Sequence, residues 1–356
     1  MSTYFEPKTN VGAPFKVYLK KIIADLEPAL AEELQRLEVQ VTAISPVVSP
    51  LARAFTKAND GGKRVRSALV EFGYELVTNQ RAPQMQQAAV AYEIMQTSIL
   101  SHDDVVDRSE LRRGMPTLPR MIGDDHRGIS HGITLGDVGY FRAFRLLTEL
   151  DFDSDTLLRG LSWFSRAMEH TGIGQIFDVE LPYVEGKTEE DAITAYAWKT
   201  GWYTVTAPIC MGATYAGASQ ELLDALVPFT QAAGIAFQIH DDVLGVYGDA
   251  DLTKKSVSSD IVEGKHTVLS AKALSVLSDV EKEEFLSLYG NQNLDEQGVE
   301  RVRCILAECG ALKHAEDLAL AYVQEAETVL DGIEGIDSDH KELLRSMAYY
   351  FIERTA

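Results

Sequence analysis

Two short stretches carry residues whose types and spacing can do chemistry. The first, Ser101-His102-Asp103-Asp104-Val105-Val106-Asp107, closes an apolar-periodic run from Ala88 to Leu100 that reads as a buried helix. On a helix Asp103 and Asp107 lie one turn apart on one face, with Asp104 beside them. Carboxylates crowded in this way repel one another and lose solvation unless a hard cation sits between them. Oxygen ligands of this kind suit Mg²⁺, which keeps several waters and shares its remaining positions with substrate phosphates. Taken alone, a solvated acidic patch explains the same residues, because 54 of the 356 residues are Asp or Glu. A second copy changes the balance. Phe237-Gln238-Ile239-His240-Asp241-Asp242-Val243-Leu244-Gly245 also closes an apolar helix and also reads His-Asp-Asp-Val. Two buried helices with one ending suggest two acidic rims facing one cavity. Gly245 stands where a third carboxylate would complete the second copy, and Asp249 follows one turn later.

Against a formal net charge of −21, the basic residues gather in four places. Gly61-Gly62-Lys63-Arg64-Val65-Arg66 reads as a helix start. There Lys63 and Arg66 face one way beside free backbone N–H groups, which makes an anion site. Arg112-Arg113-Gly114 follows Asp107 closely; these arginines suit either salt bridges to the carboxylates or forked contacts to phosphate. Lys199-Thr200 is the third place, and the loop holding Lys254, Lys255 and Lys265 is the fourth. Taken singly, the loop lysines read as ordinary surface charge. Together, two Asp clusters and several basic grips imply diphosphate substrates, two of them, with an apolar space between long helices for hydrocarbon.

The elements that must position these residues are helical from end to end, with no strand alternation or hairpin signal. Helices are expected over Lys16–Ile44, Gly62–Thr78, the run into Asp103, Gly128–Leu150, Asp153–Thr171, Gly174–Pro182, Glu189–Gly217 (broken near Gly201 and Pro208) and Gln220–Val246. Gly248–Lys265 reads as a polar loop, and amphipathic helices follow it. This is an all-α chain, a single large multi-helix domain over 1–356 with no linker composition to divide it. Gly128, Gly132, Gly136 and Gly139 form a stripe along one helix. Each glycine costs about 1 kcal/mol relative to Ala, so the stripe predicts close approach of another helix from the same or a partner subunit.

Composition excludes some classes of function. With no basic stripe, the negative charge argues against nucleic acid. Cys210, Cys304 and Cys309 lack metal-site spacing and read as core thiols of a reducing compartment. The N-terminus has no basic-then-apolar signal pattern, and Thr200–Gln220, though uncharged, is too polar for lipid. A cytoplasmic protein without a transmembrane segment is the expectation.

The ordered set GGKRVR, HDDVVDRSELRRG, GQIFD, KTG, FQIHDDVLG and SDIVEGKHT resembles the trans-isoprenyl diphosphate synthases, the geranylgeranyl and polyprenyl types included, across about Gly61 to Thr267. The resemblance implies an isoprenyl synthase fold with a central cavity and a Mg²⁺-dependent condensation of isopentenyl diphosphate with an allylic prenyl diphosphate. It implies that Lys63, Arg66, Gln96 and Arg113 hold isopentenyl diphosphate. Arg112, Lys199 and Lys255 would contact the allylic diphosphate, with Lys265 near it. Asp103, Asp107 and Asp241 would ligate Mg²⁺ directly, three ions in all, with Asp104 and Asp242 acting in part through water. Thr200 and Gln238 would sit near the developing carbocation, and Gln175 and Asp178 would line the same cavity. Asp103, Asp104, Asp107, Arg112, Lys199, Gln238 and Asp241 are thus the expected catalytic set. The family is usually homodimeric.

Two departures stand out. Gly245 replaces the last Asp of the second cluster, and Lys254 replaces the usual Gly before the loop lysine; weaker binding of the third ion is expected. His102 and His240 are poor Mg²⁺ ligands and read as hydrogen-bonding helix residues. In this family the hydrocarbon grows along the helix of the first cluster, where one turn of about 5.4 Å matches one isoprene unit. Ser98 and Ile99 lie just over one turn before Asp103, then Met95, then Tyr92. A small Ser98 does not stop growth at fifteen carbons and a bulky residue there would; the expected product is geranylgeranyl diphosphate, with a longer chain as the alternative. A class I terpene cyclase would need one diphosphate grip and a different second metal motif. A non-catalytic subunit of a heteromeric synthase would have lost first-cluster residues.

Overall fold

The computed structural model describes residues 10–248 and 259–355 and is built almost wholly of helices. The chain forms two compact units, Val17–Phe164 with Pro208–Ser219, and Met1–Lys16 with Ser165–Ala207 and Gln220–Ala356. They are called here the α4 unit and the α10 unit after their central helices.

In the α4 unit, α1 (Ala13–Ile44), α2 (Ser49–Ala58) and α3 (Val65–Thr78) lead to α4 (Pro83–Val106). Helix α4 starts on a proline, whose missing N–H costs nothing in the first turn, and Asp107 caps its end. The central part of α4, from Ala88 to Met95, is buried on every side, which explains the unbroken apolar run in the sequence. A short hairpin follows, β1 (Leu111–Arg112) paired antiparallel with β2 (Met115–Pro116). Arg113 (φ 56°) and Gly114 (φ 76°) form its two-residue turn, as a type I′ hairpin demands. No strand was expected here. Two residues per strand give no alternation to detect, and the Arg-Gly pair at the turn was the available signal. Helix α5 (Leu118–Ile122) and α6 (His126–Thr148) complete the run.

Helix α4 crosses the glycine stripe of α6 at Gly132, Gly136 and Gly139, and Gly128 packs on the Pro119–Gly123 backbone. All four glycines are buried. A Cβ on Gly132 would meet the Pro119 ring and Val105, one on Gly136 the His102 imidazole, and one on Gly139 Ser98 and the Phe55 ring. The approaching helix thus belongs to the same chain. Ser101 donates to the Gly132 carbonyl at 2.7 Å, and the His102 ring nitrogen lies 2.9 Å from the Ile133 carbonyl.

Helix α7 (Ser154–Glu180) is continuous where two helices were expected; Gly172 and Gly174 leave it unbroken. Gly174 is instead a seat, since a Cβ there would strike the backbone of Trp198 and Lys199. Helix α8 (Glu189–Ala195) opens with a Thr188/Asp191 capping box and runs on through a π-helical stretch, Tyr196–Thr206, into α9 (Ala207–Tyr215). The expected break at Gly201 and Pro208 is therefore a change of helical pitch. Widened turns of this kind tolerate interruptions and recur at functional sites. Helix α10 (Gln220–Tyr247) is the core of its unit, packed against the π stretch and against helices Ala311–Gly332 and Ser338–Glu353. It is long and apolar enough to cross a membrane by composition, yet it is mostly buried within the protein.

The α4–α6 contact supplies a direct test. Gly139→Val places two methyl groups against Ser98 and Phe55, and overpacking of this sort costs about 1–3 kcal/mol. Urea unfolding followed by circular dichroism should show a lower midpoint with an unchanged slope. An unchanged midpoint would mean that the two helices are not in close contact.

Candidate active site

The first acidic cluster is organised by Arg112. Its Nε donates to Asp104 Oδ1 at 2.6 Å and a terminal nitrogen donates to Asp103 Oδ2 at 3.1 Å. Burial pushes the Asp104 carboxyl up to about 6, an effect that the Arg112 guanidinium only partly offsets. Burial likewise works against the Arg112 charge, but its three aspartate neighbours outweigh that and raise its pKa. The hairpin thus folds Arg112 back onto the helix end, with the Ser109 N–H donating to the Asp104 carbonyl at 3.0 Å.

The hairpin turn aims Arg113 elsewhere. Its guanidinium donates to the carbonyls of Asp60 and Gly61 at 3.3 and 2.9 Å. Gly62, at φ 110°, has no room for a Cβ, because the guanidinium carbon would lie 2.9 Å away. Both glycines supply a positive φ, and Gly62 also leaves space for the guanidinium. Burial lowers the Arg113 pKa to about 10, with Arg64, Arg112 and Arg66 adding repulsion and Glu93 opposing it. A concentration of guanidinium groups in a strongly acidic chain has the chemistry to hold an anion.

Lys63 was expected on the helix with Arg66. The helix begins only at Val65, so exposed Lys63 belongs to the preceding loop and buried Arg66 to the first turn. Between them Arg64 adopts a left-handed conformation, φ 51°, and its side chain is almost fully buried. Along α4, Gln96, Ile99 and Asp103 are half-buried, as are Leu100, His102 and Val105, while Met95 and Tyr92 are fully buried. Ser98 requires a correction. It is fully buried against Gly139 and Phe55 and donates to the Ile94 carbonyl, so it faces α6 and not the strip that carries Ile99. Tyr92 meets Phe164 edge-on at 5.9 Å.

In the α10 unit the second motif forms a chain of hydrogen bonds. Thr200 donates to Gln238 at 2.8 Å, and the Gln238 amide donates to Asp242 Oδ1 at 2.7 Å. The Tyr196 hydroxyl donates to Asp242 Oδ2 and itself accepts from the Val268 N–H at 3.0 Å. Burial raises the Asp242 carboxyl to about 8, and the Asp260 and Asp241 charges add to the effect. Asp241 is paired with Arg354 at 3.0 Å, and the Arg354 carbonyl lies 2.7 Å from the His240 ring nitrogen. Both motif histidines are thus hydrogen-bonding helix residues. Lys199 donates to Asp178 at 2.6 Å, a pair brought together by the Gly174 seat. Lys265 lies 3.1 Å from Glu263 and 3.6 Å from Asp260. The space that a side chain at position 245 would enter holds the Asp260 carboxylate. Lys254, Lys255 and Asp249 lie outside the described residues.

Arg64, Tyr196, Asp260 and Arg354 were missed as site residues. Arg64 lay inside a motif already singled out, and Tyr196 sits one turn before Lys199. Nothing local in the sequence marks Arg354.

The donor set fits a hard divalent cation. Asp104 and Asp242 are buried carboxyls held above their ordinary range, and a dication restores the charged form of such groups. Among the described residues no three Asp, Glu, His or Cys side chains converge closely enough to ligate one ion unaided. Mg²⁺ fills much of its shell with water and phosphate oxygens, so it needs few protein carboxylates.

Comparison with known proteins agrees with this chemistry. The polyprenyl synthetase profile matches residues 49–306. Geranylgeranyl diphosphate synthase of Methanosarcina mazei is 32% identical over 296 residues, covering 83% of this chain and 86% of that protein. Geranylfarnesyl diphosphate synthase of Aeropyrum pernix is also 32% identical, covering 83% and 91%. Among solved structures, geranylgeranyl pyrophosphate synthase from Corynebacterium glutamicum, complexed with isoprenyl diphosphate and magnesium, superposes with a TM-score of 0.88. It is 27% identical and covers 94% of this chain and 99% of its own. With family profile, relatives and fold in agreement, the chain belongs to the polyprenyl synthetase family, the trans-isoprenyl diphosphate synthases.

Proposed function

We propose that this prenyltransferase condenses isopentenyl diphosphate with an allylic prenyl diphosphate to give geranylgeranyl diphosphate. The observation that carries the proposal is the guanidinium cluster of the α4 unit, where Arg113 is pressed onto the Gly61-Gly62 turn beside Arg112 and its two carboxylates. Lys63, Arg66, Gln96 and Arg113 bind the diphosphate of isopentenyl diphosphate. Arg112 and Lys199 bind allylic diphosphate oxygens, each exchanging part of its present carboxylate pairing for phosphate. Lys255 and Lys265 belong to the same role. Asp103, Asp104, Asp107, Asp241 and Asp242 would hold Mg²⁺, three ions in all. Bound there, Mg²⁺ supplies positive charge that favours departure of diphosphate.

The chain's own groups do the rest. Fixed cationic donors stabilise charge developing on the leaving group without reorganising at the moment of reaction. The hydrogen-bonded pair Thr200–Gln238 offers oxygen lone pairs toward developing positive charge, and Tyr196 with Asp242 holds that pair in place. The isopentenyl double bond attacks the allylic carbon, and the released diphosphate takes the proton. No nucleophilic side chain is required.

On α4 the half-buried strip of Asp103, Ile99 and Gln96 runs toward Met95 and Tyr92, with Phe164 behind Tyr92. That arrangement supports a floor at Met95 and a twenty-carbon product, and a floor at Tyr92 for a longer one. A homodimer is supported by a row of apolar side chains on the outer face of α6, where Ile129, Ile133, Phe141 and Phe144 are exposed. Such a row in a water-soluble unit reads as an interaction surface.

Incubation with isopentenyl diphosphate and each allylic primer, with and without Mg²⁺, should give a Mg²⁺-dependent ladder ending at twenty carbons by mass spectrometry. A ladder ending at twenty-five would move the floor to Tyr92, and consumption of the allylic primer alone would refute condensation. Chain length gives a second test. Ile99→Phe should shorten the product by at least one isoprene unit and Met95→Ala should lengthen it. Ser98→Phe should instead lower stability, because its ring has to displace Phe55 or α6; a shortened product with unchanged melting would restore Ser98 to the floor.

A further inference from the structure

Arg64 lies between two residues assigned to diphosphate binding, yet its side chain is turned into the protein. One terminal nitrogen donates to Glu93 at 2.9 Å, and both partners are 2% exposed. The Nε and the other terminal nitrogen reach the two Glu27 oxygens at 2.8 and 3.3 Å, and that same terminal nitrogen donates to the Asn59 carbonyl at 2.8 Å. The acceptors are themselves anchored. Ser67 donates to the second Glu93 oxygen at 2.7 Å, Thr97 donates to the Asn59 side-chain oxygen at 2.7 Å, and the Asn59 amide donates to the Phe55 carbonyl at 2.9 Å. Helices α1, α2, α3 and α4 all converge on this one guanidinium.

We infer that Arg64 is a positioning residue for the isopentenyl diphosphate grip. It contacts no reacting group. It pins the backbone between Lys63 and Arg66, and through Glu93 and Thr97 it ties that backbone to the helix that carries Asp103. Only a surrounding that over-determines the conformation keeps a bulky residue at φ 51°. The forked geometry matters, because a lysine ammonium is a point charge that cannot satisfy two carboxylates and a carbonyl in fixed directions. Displacing a binding group by about 1 Å costs on the order of 100-fold in rate, so a loose loop would be felt in substrate use before it was felt in folding. This inference rests on the assignment of Lys63 and Arg66 to isopentenyl diphosphate.

The test separates position from stability. Replacing a buried ion pair by apolar residues of similar size is often neutral for folding, whereas removing one partner is not. The double variant Arg64→Met with Glu93→Leu should therefore melt close to the parent protein, while its KM for isopentenyl diphosphate rises about tenfold or more and its KM for the allylic primer stays within about twofold. Arg64→Lys should not restore the KM. Should the double variant fail to fold, Glu93→Gln, which keeps the shape, should show the same selective rise in KM to a smaller extent. Lys63→Ala reports on the underlying assignment. If it raises the KM for isopentenyl diphosphate while the folded Arg64 or Glu93 variants do not, Arg64 has no positioning role. If Lys63→Ala leaves that KM unchanged, the assignment of the loop itself is wrong.

Discussion

Burial of one carboxylate beside a half-buried one is the constraint that both metal-type motifs have to meet, and they meet it in the same way. In each His-Asp-Asp-Val copy the second aspartate, Asp104 or Asp242, is buried and hydrogen-bonded. The first, Asp103 or Asp241, is more open and pairs with an arginine from further along the chain, Arg112 or Arg354. The histidine ahead of them binds a backbone carbonyl of another element, Ile133 in one case and Arg354 in the other. The tetrapeptide is therefore a structural device as much as a ligand set. Its histidine fastens the helix end, its second aspartate is locked, and its first is presented. An unpaired buried carboxylate would cost several kcal/mol, which explains why each copy comes with a dedicated cation or hydroxyl partner.

Glycines let these helix ends come close enough. Gly136 and Gly139 seat His102 and Ser98, Gly174 seats the backbone of Lys199, and Gly62 seats the Arg113 guanidinium. Each glycine gives up helix propensity or backbone order, and each is used where a side chain would push a functional residue away. Gly245 belongs with them. A missing carboxylate suggested a weakened second cluster, but the Asp260 carboxylate occupies that space and also raises the Asp242 pKa. The acidic character of the cluster is retained by a residue from a different helix.

What could be read from the sequence follows the range of the interactions. Long apolar-periodic helices were legible because burial imposes a period on many residues at once, and α4, α6 and α10 were placed to within a few residues. The paired acidic motifs were legible for the same reason, since each is local. Two kinds of feature were not. One is short and strained: the Arg112–Met115 hairpin and the left-handed Arg64 involve too few residues to leave a pattern. The other is long-range: Arg354 reaches Asp241 from the last helix, and nothing around either residue announces the pairing. The π stretch was misread as a break because Gly201 and Pro208 punctuate most helices, whereas here the stretch stays helical and Gly234 of α10, having no side chain, lets the Gly201 backbone pack against it.

Helix α4 shows how little freedom such a scaffold leaves for substrate. Ala89, Glu93 and Thr97 are committed to the α2–α3 side, through Ser67, Arg64 and Asn59. Ser98, Ser101, His102 and Val105 are committed to α6. Among the positions outside both sets, Tyr92, Gln96, Ile99 and Asp103 form a strip at helical spacing, with Met95 beside it, and Gln96, Ile99 and Asp103 are half-buried. On the function proposed above, a hydrocarbon growing along α4 from Asp103 would follow this strip, at about 5.4 Å per turn. On that proposal, product length would depend mainly on the side chains of this strip. Changes on the other two faces reach the substrate only by moving α3 or α6.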